Sequence, residues 1–335
     1  MSLKSRFQAQ YRTGRDVGYL TERPPVPGNM MMELSNACNH SCAFCPSPHM
    51  KRKRGLMSDE VAERVIAQAA AAGVREIGFY STGEPFIHRG LARLIAHAKN
   101  VGIGYTYIST NGALATPDRA RKVIEAGLDS IKFSVNAGSR ETYKTIHGVD
   151  DFEAVSRNIE FIANYRREIG SPIKLFASCV VTKVIEHEVP KIRDWLAPLV
   201  DEVQFNPCAP FNWPDQALAG NAEICHLPFN RIHVTCEGYL TLCCVDYQNY
   251  LAVADLNRMS LTEAWHSDSF VRARRQHLGD DMAGTLCGRC WRNAPDPVEP
   301  LVAELADVID YEDYDRSQRQ AILEGLRTNN LETGE

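Results

Sequence analysis

No uninterrupted run of about 18 apolar residues occurs in this 335-residue sequence, so no membrane-spanning helix is expected. Its first residues, MSLKSRFQAQYRTGRDVGYL, lack the apolar stretch of a secretory signal. Positive charge is not in excess: 37 Lys and Arg against 42 Asp and Glu leave a formal charge of −5. That balance argues against a chain that holds nucleic acid through a general basic field. There is no low-complexity tract, and no repeat beyond a strand–helix period. With 44% hydrophobic and 24% charged residues, the composition is that of a globular protein expected in the cytoplasm. What stands out is cysteine, eleven in all. In a reducing compartment, clustered cysteines point to metal binding or catalysis rather than disulfides.

Between residues 29 and 207 short apolar runs alternate with helical patterns. The runs are NMMMELS (29–35), REIGFYST (75–82), YTYIST (105–110), SIKFSV (130–135), KLFASCVV (174–181) and EVQFNP (202–207). Between them lie SDEVAERVIAQAAAAG (58–73), with Ser58 as a helix start and Gly73 as a stop, and GLARLIAHAKNVG (90–102). Strands alternating with helices predict βαβ units and a parallel sheet. Six right-handed units can curl into an open (β/α)6 barrel or lie flat as a doubly wound sheet. The pattern breaks at NPCAPFNWPDQALAG (206–220), which reads as a linker. RIHVTCEGYLTLCC (231–244) reads as a hairpin turning at Glu237-Gly238, and SLTEAWHSDSFVRARRQHL (260–278) as helical. The expected division is an extension at 1–28, an α/β unit at 29–207, a smaller α+β unit at 208–300 and a helical tail at 301–335. Cys179, alone in an apolar run, reads as a small buried hydrophobe.

In parallel α/β folds reactive groups gather where the strands end. Here the first strand leads into Cys38, Cys42 and Cys45, and the second into Ser81-Thr82-Gly83-Glu84-Pro85. The third ends in Ser109-Thr110-Asn111-Gly112, and the fourth carries Ser134 and Asn136. Gly83 and Gly112 would let the backbone approach a ligand closely. Taken singly, each polar residue is an ordinary turn residue. Their appearance after four successive strands is what points to a site.

These residues resemble the radical S-adenosylmethionine (radical SAM) superfamily. Cys38-x3-Cys42-x2-Cys45, with Phe44 before the last cysteine, is similar to its signature, and Thr82-Gly83-Glu84-Pro85 to its Gly-Gly-Glu-Pro motif with Thr for the first Gly. The resemblance spans about residues 30 to 210 and implies a partial (β/α)6 TIM-like barrel. It implies that the three thiolates ligate three irons of a 4Fe–4S cluster and that SAM chelates the fourth. By the same resemblance Glu84 holds the methionine amino group, Phe44 lies near the adenine, and Ser134 and Asn136 contact the ribose. Gly83, Ser109 and Asn111 complete the expected SAM contacts. Reductive cleavage of SAM then gives a 5′-deoxyadenosyl radical that abstracts hydrogen from substrate. The competing reading of these thiols is structural zinc completed by His40 or His49.

A second group follows. Cys225-x12-Gly238-x4-Cys243, then Cys287-x2-Cys290, resembles the SPASM/Twitch auxiliary-cluster domain, as does VADLNRMSLTEAWHS (253–267). Four thiolates suit a second 4Fe–4S cluster, with a four-cysteine zinc site as the alternative. After Cys290 there is no further cysteine, so one auxiliary cluster, the Twitch form, is implied. Full ligation would leave no open iron and favours electron transfer. Cys244 or Cys208 could compete for the site. Otherwise Cys208, Cys236 and Cys244 are spare, or one of them donates hydrogen in an epimerase.

One-auxiliary-cluster relatives include an aminocyclitol dehydrogenase of butirosin biosynthesis, which makes oxidation of a small hydroxylated substrate the first expectation. Peptide or protein maturation and epimerisation are the alternatives. A catalytic base is unassigned. Lys51-Arg52-Lys53-Arg54 reads as a solvated face, as a phosphate-attracting rim, or as a docking patch for a flavodoxin- or ferredoxin-type electron donor.

Overall fold

The structure, a computed structural model, describes residues 18–208, 225–292 and 298–306. Six parallel strands come first: β1 (Asn29–Met32), β2 (Glu76–Phe79), β3 (Tyr105–Thr110), β4 (Ser130–Ser134), β5 (Lys174–Val181) and β6 (Glu202–Pro207). The helices between them are α1 (Asp59–Ala71), α2 (Leu91–Asn100), α3 (Pro117–Glu125), α4 (Arg140–His147), α5 (Phe152–Glu168) and α6 (Val189–Leu196). Ser58 caps α1 by accepting from Val61 N, and Gly73 leaves the helix at φ +92°. The first two strands are shorter than their apolar runs, because the chain turns into the site loops at Glu33 and Tyr80.

Period-two alternation sorts the strand residues between two faces. Met30, Met32, Ile77, Phe79, Ile108, Ile131, Phe133, Leu175 and Cys179 join the core beneath the helices. Cys179 is fully buried there. The intervening residues, among them Gly78, Tyr107, Ser109, Lys132, Ser134 and Ser178, face the concave side.

The sheet order is β6-β5-β4-β3-β2-β1-β7-β8-β9, so the barrel stays open. Beyond β1 lie β7 (Ile232–Val234), β8 (Tyr239–Thr241) and β9 (Ala252–Asp255). β7 runs parallel to β1, with Met31 opposite His233, and β7-β8-β9 form an antiparallel meander. The expected hairpin therefore extends the barrel sheet itself. Its turn needs Gly238, at φ +85°, where a Cβ would lie 2.9 Å from Asn257.

The remaining helices are α7 (Leu227–Asn230), α8 (Leu261–Trp265), α9 (Asp268–Gly279) and α10 (Leu286–Arg292). The stretch 260–278, expected as one helical segment, is two helices. Ser260 and Glu263 form a capping box on α8, and Ser267 restarts the chain by accepting from Phe270 N. Buried Arg274 holds the pair together. It donates to Trp265 O at 2.8 Å and lies over the Phe270 ring at 3.6 Å. Residues 1–17 of the expected extension, 209–220 of the linker and 307–335 of the tail lie outside the described residues. Among the described residues, no helix is long and apolar enough to cross a membrane.

Candidate functional site

The loop after β1 is sewn to the C-terminal end of α4. Ser41 N donates to His147 O at 3.1 Å and Ala43 N to Ile146 O at 2.9 Å. Gly148, which ends α4 at φ +71°, is needed because a Cβ would meet Ser41 Oγ at 2.2 Å. This holds three thiols among hydrogen-bond donors. His40 N points to Cys38 Sγ at 3.5 Å, Ser47 N to Cys45 Sγ at 3.4 Å, and Asn111 Nδ2 to Cys38 Sγ at 3.8 Å. Such donors favour the thiolate form. Burial works the other way, raising Cys38 to about 11 and Cys42 well above its usual range. Metal binding must therefore expel the thiol protons.

His147 is a site residue that the sequence reading missed. Burial depresses it to about 3, so its ring is neutral at physiological pH. Nε2 accepts from Asn136 N at 3.3 Å, which fixes the proton on Nδ1, 3.5 Å from Cys42 Sγ. The ring thus donates to the Cys42 sulfur. Its spacing from the cysteines, over a hundred residues, carried no signal. His40 instead pairs through Nε2 with Asp151 at 3.1 Å.

Glu84 is buried beside this loop. Its carboxylate accepts from Thr110 Oγ1 at 2.7 Å, Asn111 N at 2.8 Å and Phe86 N at 3.1 Å. Burial nonetheless lifts it to about 7. The chain itself also requires both glycines. At Gly83 a Cβ would sit 2.3 Å from Ser35 O and 2.4 Å from Ala37 O, so the glycine lets the Glu84 loop pass under the cysteine loop. Gly112, at φ +82°, is backed by Val155 and Phe133. Asn111 binds Asn39 Oδ1 at 2.9 Å, and Asn136 Oδ1 accepts from Val180 N at 2.8 Å. Ser109 and Ser134 stand half-buried on the concave face, and Phe44 packs against the edge of the core.

Lys132 was also missed, although the alternation of SIKFS puts it on the concave face. Its neighbours in register are Ser109 and Phe176, and its ammonium lies 5.8 Å from the Tyr80 ring centre. Burial lowers its affinity for a proton.

The second cysteine group converges on one cavity. Cys225, Cys243, Cys287 and Cys290 line it together, whereas Cys208, Cys236 and Cys244 do not. Asp246 shapes the loop after Cys243 by accepting from Gln248 N at 3.0 Å and Leu251 N at 2.6 Å. Cys287 and Cys290 sit on α10, three residues apart and so on one face. Gly288 between them is forced, because a Cβ would meet Met282 O at 2.0 Å. Burial raises the Cys225 and Cys287 thiols.

Among the described residues, two sets of three possible ligand atoms lie within 4.8 Å of one another: His40, Cys42, His147 and Glu33, Cys236, Glu237. Neither cysteine group is one of them. Zinc–sulfur bonds of about 2.3 Å would bring tetrahedral sulfurs to roughly 3.8 Å. In neither group are three thiols gathered within 4.8 Å among the described residues.

Three residues of the basic run are exposed, as a solvated face requires, and one is not. Arg52 is buried, with its guanidinium 2.6 Å from both Glu33 Oε2 and Glu237 Oε2. Arg54 donates to Asn36 O at 2.7 Å and Ser47 Oγ at 3.2 Å. Arg52 braces the loop against Glu33 and the β7–β8 turn and Arg54 ties Asn36 to Ser47, while Lys51, Lys53 and Arg54 stay exposed.

Comparison with known proteins agrees with this geometry. The profile of the radical SAM superfamily matches residues 32–196, and that of the SPASM iron–sulfur cluster-binding domain matches residues 225–291. The chain is 36% identical over 135 residues to a probable GTP 3′,8-cyclase of Saccharolobus solfataricus, covering 39% of this chain and 42% of that protein. It thus matches under half of that relative's length. Its fold is similar to that of BtrN in complex with AdoMet and 2-DOIA, with TM-score 0.53 and 17% identity, over 85% of this chain and 98% of that one. It is also similar to Streptococcus suis SuiB bound to precursor peptide SuiA, with TM-score 0.61 and 14% identity, over 90% of this chain and 80% of that one.

Proposed function

This chain belongs to the radical SAM superfamily and carries a C-terminal SPASM iron–sulfur domain; from that premise we propose that it oxidises a secondary alcohol of a small hydroxylated molecule, a sugar or an aminocyclitol. The observation that supports this reading is the single cavity lined by four thiols. A cluster with four cysteine ligands has no iron open to substrate and suits electron transfer. BtrN, similar in fold over nearly its whole length, binds 2-DOIA together with AdoMet.

Cys38, Cys42 and Cys45 would hold the SAM-binding cluster, and Cys225, Cys243, Cys287 and Cys290 the auxiliary one. When bound, the first would supply the electron whose transfer to SAM yields the hydrogen-abstracting radical, and the second an electron acceptor. Glu84 already accepts three hydrogen bonds, and its two oxygens leave one lone pair for the methionine ammonium of SAM. Ser109, Asn111 and Ser134 offer polar groups on the concave side, with Phe44, Gly83 and Asn136 completing the SAM contacts. The electron donor is of flavodoxin or ferredoxin type.

Alcohol oxidation removes a hydrogen atom from carbon, a proton from oxygen and one electron. The proton is the part left to this chain, and we assign it to Lys132. Its side chain lies on the concave face beside Tyr80, and among the described residues it has no carboxylate partner. A desolvated lysine gives up its proton more readily, so the neutral amine can accept one from the substrate hydroxyl.

The test is anaerobic turnover with SAM and dithionite on panels of aminocyclitols, sugars and peptides, read by mass spectrometry. We expect 5′-deoxyadenosine together with a product lighter by two hydrogen atoms from one of the first two panels. Lys132→Met should lower that turnover by about 10²–10⁴-fold, with iron content and the SAM-induced spectral change intact. Modification of a peptide alone would refute the substrate class, and full activity of Lys132→Met would refute the base.

A further inference from the structure

On the wall of the four-thiol cavity stands one polar side chain that is not a cysteine. His277 projects from α9 among leucine, proline and valine side chains. It is 4% exposed, and among the described residues neither Nδ1 nor Nε2 has a hydrogen-bond partner. Its ring meets Phe229 edge-on at 6.2 Å, which fixes the ring plane but satisfies neither nitrogen. A buried polar group is normally paired, and one left orphaned marks a missing partner. The cavity offers only sulfur to supply it, whether cysteine thiolates or the cluster they hold.

We propose that His277 donates a ring N–H hydrogen bond to the auxiliary cluster, at a cysteine or bridging sulfur, and so raises that cluster's reduction potential. The physical reason is electrostatic. Reduction adds negative charge to the sulfurs, and a donor aimed at them stabilises the reduced form more than the oxidised one. The surrounding apolar side chains exclude water that would otherwise supply such donors. The proposal rests on the auxiliary-cluster reading and adds to it the residue that sets the cluster's potential as an electron acceptor.

The experiment uses full-length protein with Cys38→Ala, Cys42→Ala and Cys45→Ala, reconstituted with iron and sulfide, so that only the second site is read. About four irons are expected. Pulsed EPR after exchange into deuterium oxide, with ¹⁵N-labelled histidine, should detect one exchangeable proton and a weakly coupled nitrogen at the reduced cluster. His277→Phe should shift the midpoint to more negative potential by at least a tenfold change in the one-electron equilibrium, which is 59 mV. His277→Gln should recover part of that shift. A nitrogen coupling of the strength of direct ligation would overturn the hydrogen bond, as would absence of both coupling and midpoint shift. If His277→Phe fails to fold, the labelled parent still decides the matter. Absence of iron from the triple variant would sink the auxiliary cluster itself, and this inference with it.

Discussion

Arg52→Met is the substitution whose cost the structure defines best. The guanidinium binds Glu33 Oε2 at 2.6 Å, and grips Glu237 through Nε at 3.0 Å and a terminal nitrogen at 2.6 Å. The side chains of Arg52 and Glu33 are 1% and 2% exposed, whereas Glu237 is 22% exposed. Removing the cation leaves Glu33 charged and buried, a loss of about 3–5 kcal/mol for a broken buried pair. The lower end applies, because Glu33 keeps Cys236 N at 2.9 Å and Thr82 N at 3.3 Å as donors. Glu237 reaches water and adds less than about 1 kcal/mol. We therefore expect a loss of about 3 kcal/mol, equivalent for a chain of 335 residues to a fall in Tm of about 4 °C. The assay is thermal and urea unfolding of the metal-free protein followed by circular dichroism. Adding Glu33→Gln to Arg52→Met should restore most of the loss, since an apolar side chain beside an uncharged amide leaves no stranded ion. A single-mutant loss under about 0.5 kcal/mol would show that the ion pair does not brace the cysteine loop.

Glu84 should also contribute less to the stability of the metal-free protein as pH rises from about 5 to 8. Burial lifts Glu84 from an ordinary 4.5 to about 7, so the folded state binds the extra proton between those values, and the advantage disappears as pH climbs through 7. Glu84→Gln should remove up to about 3 kcal/mol of that slope, and parallel pH profiles for the two proteins would contradict it. Cys243→Ser should lower iron content from about eight to about four per chain while Cys244→Ser leaves it unchanged, as measured on reconstituted protein. Equal losses would mean that the two adjacent cysteines share the site. Gly288→Ala should lose the second cluster without touching a ligand, because the added carbon would lie 2.0 Å from Met282 O; full iron retention would disprove that crowding.

How much was legible in advance depended on the range of the interactions involved. β3, β5 and β6 lie where their apolar runs are, and α1 starts and stops at Ser58 and Gly73, because alternation and capping are local. The break between α8 and α9 is local too, but Ser267 had been read as helix interior rather than as a cap. Cys38, Cys42, Cys45 and Glu84 could be picked out because a ligand loop and a strand-end carboxylate keep short, fixed spacings.

The amino-acid order thus determined the alternation of strands and helices and the two groups of cysteines. Tertiary structure alone decided which side chains surround them. His147 reaches Cys42 from α4, Arg52 joins Glu33 and Glu237, and His277 lines one cavity with Cys225, Cys243, Cys287 and Cys290. Backbone hydrogen bonds and periodic burial act over a few residues and leave a pattern in the sequence. Electrostatic partners and cavity walls come from segments over a hundred residues apart in some cases, and only chain folding brings them within reach.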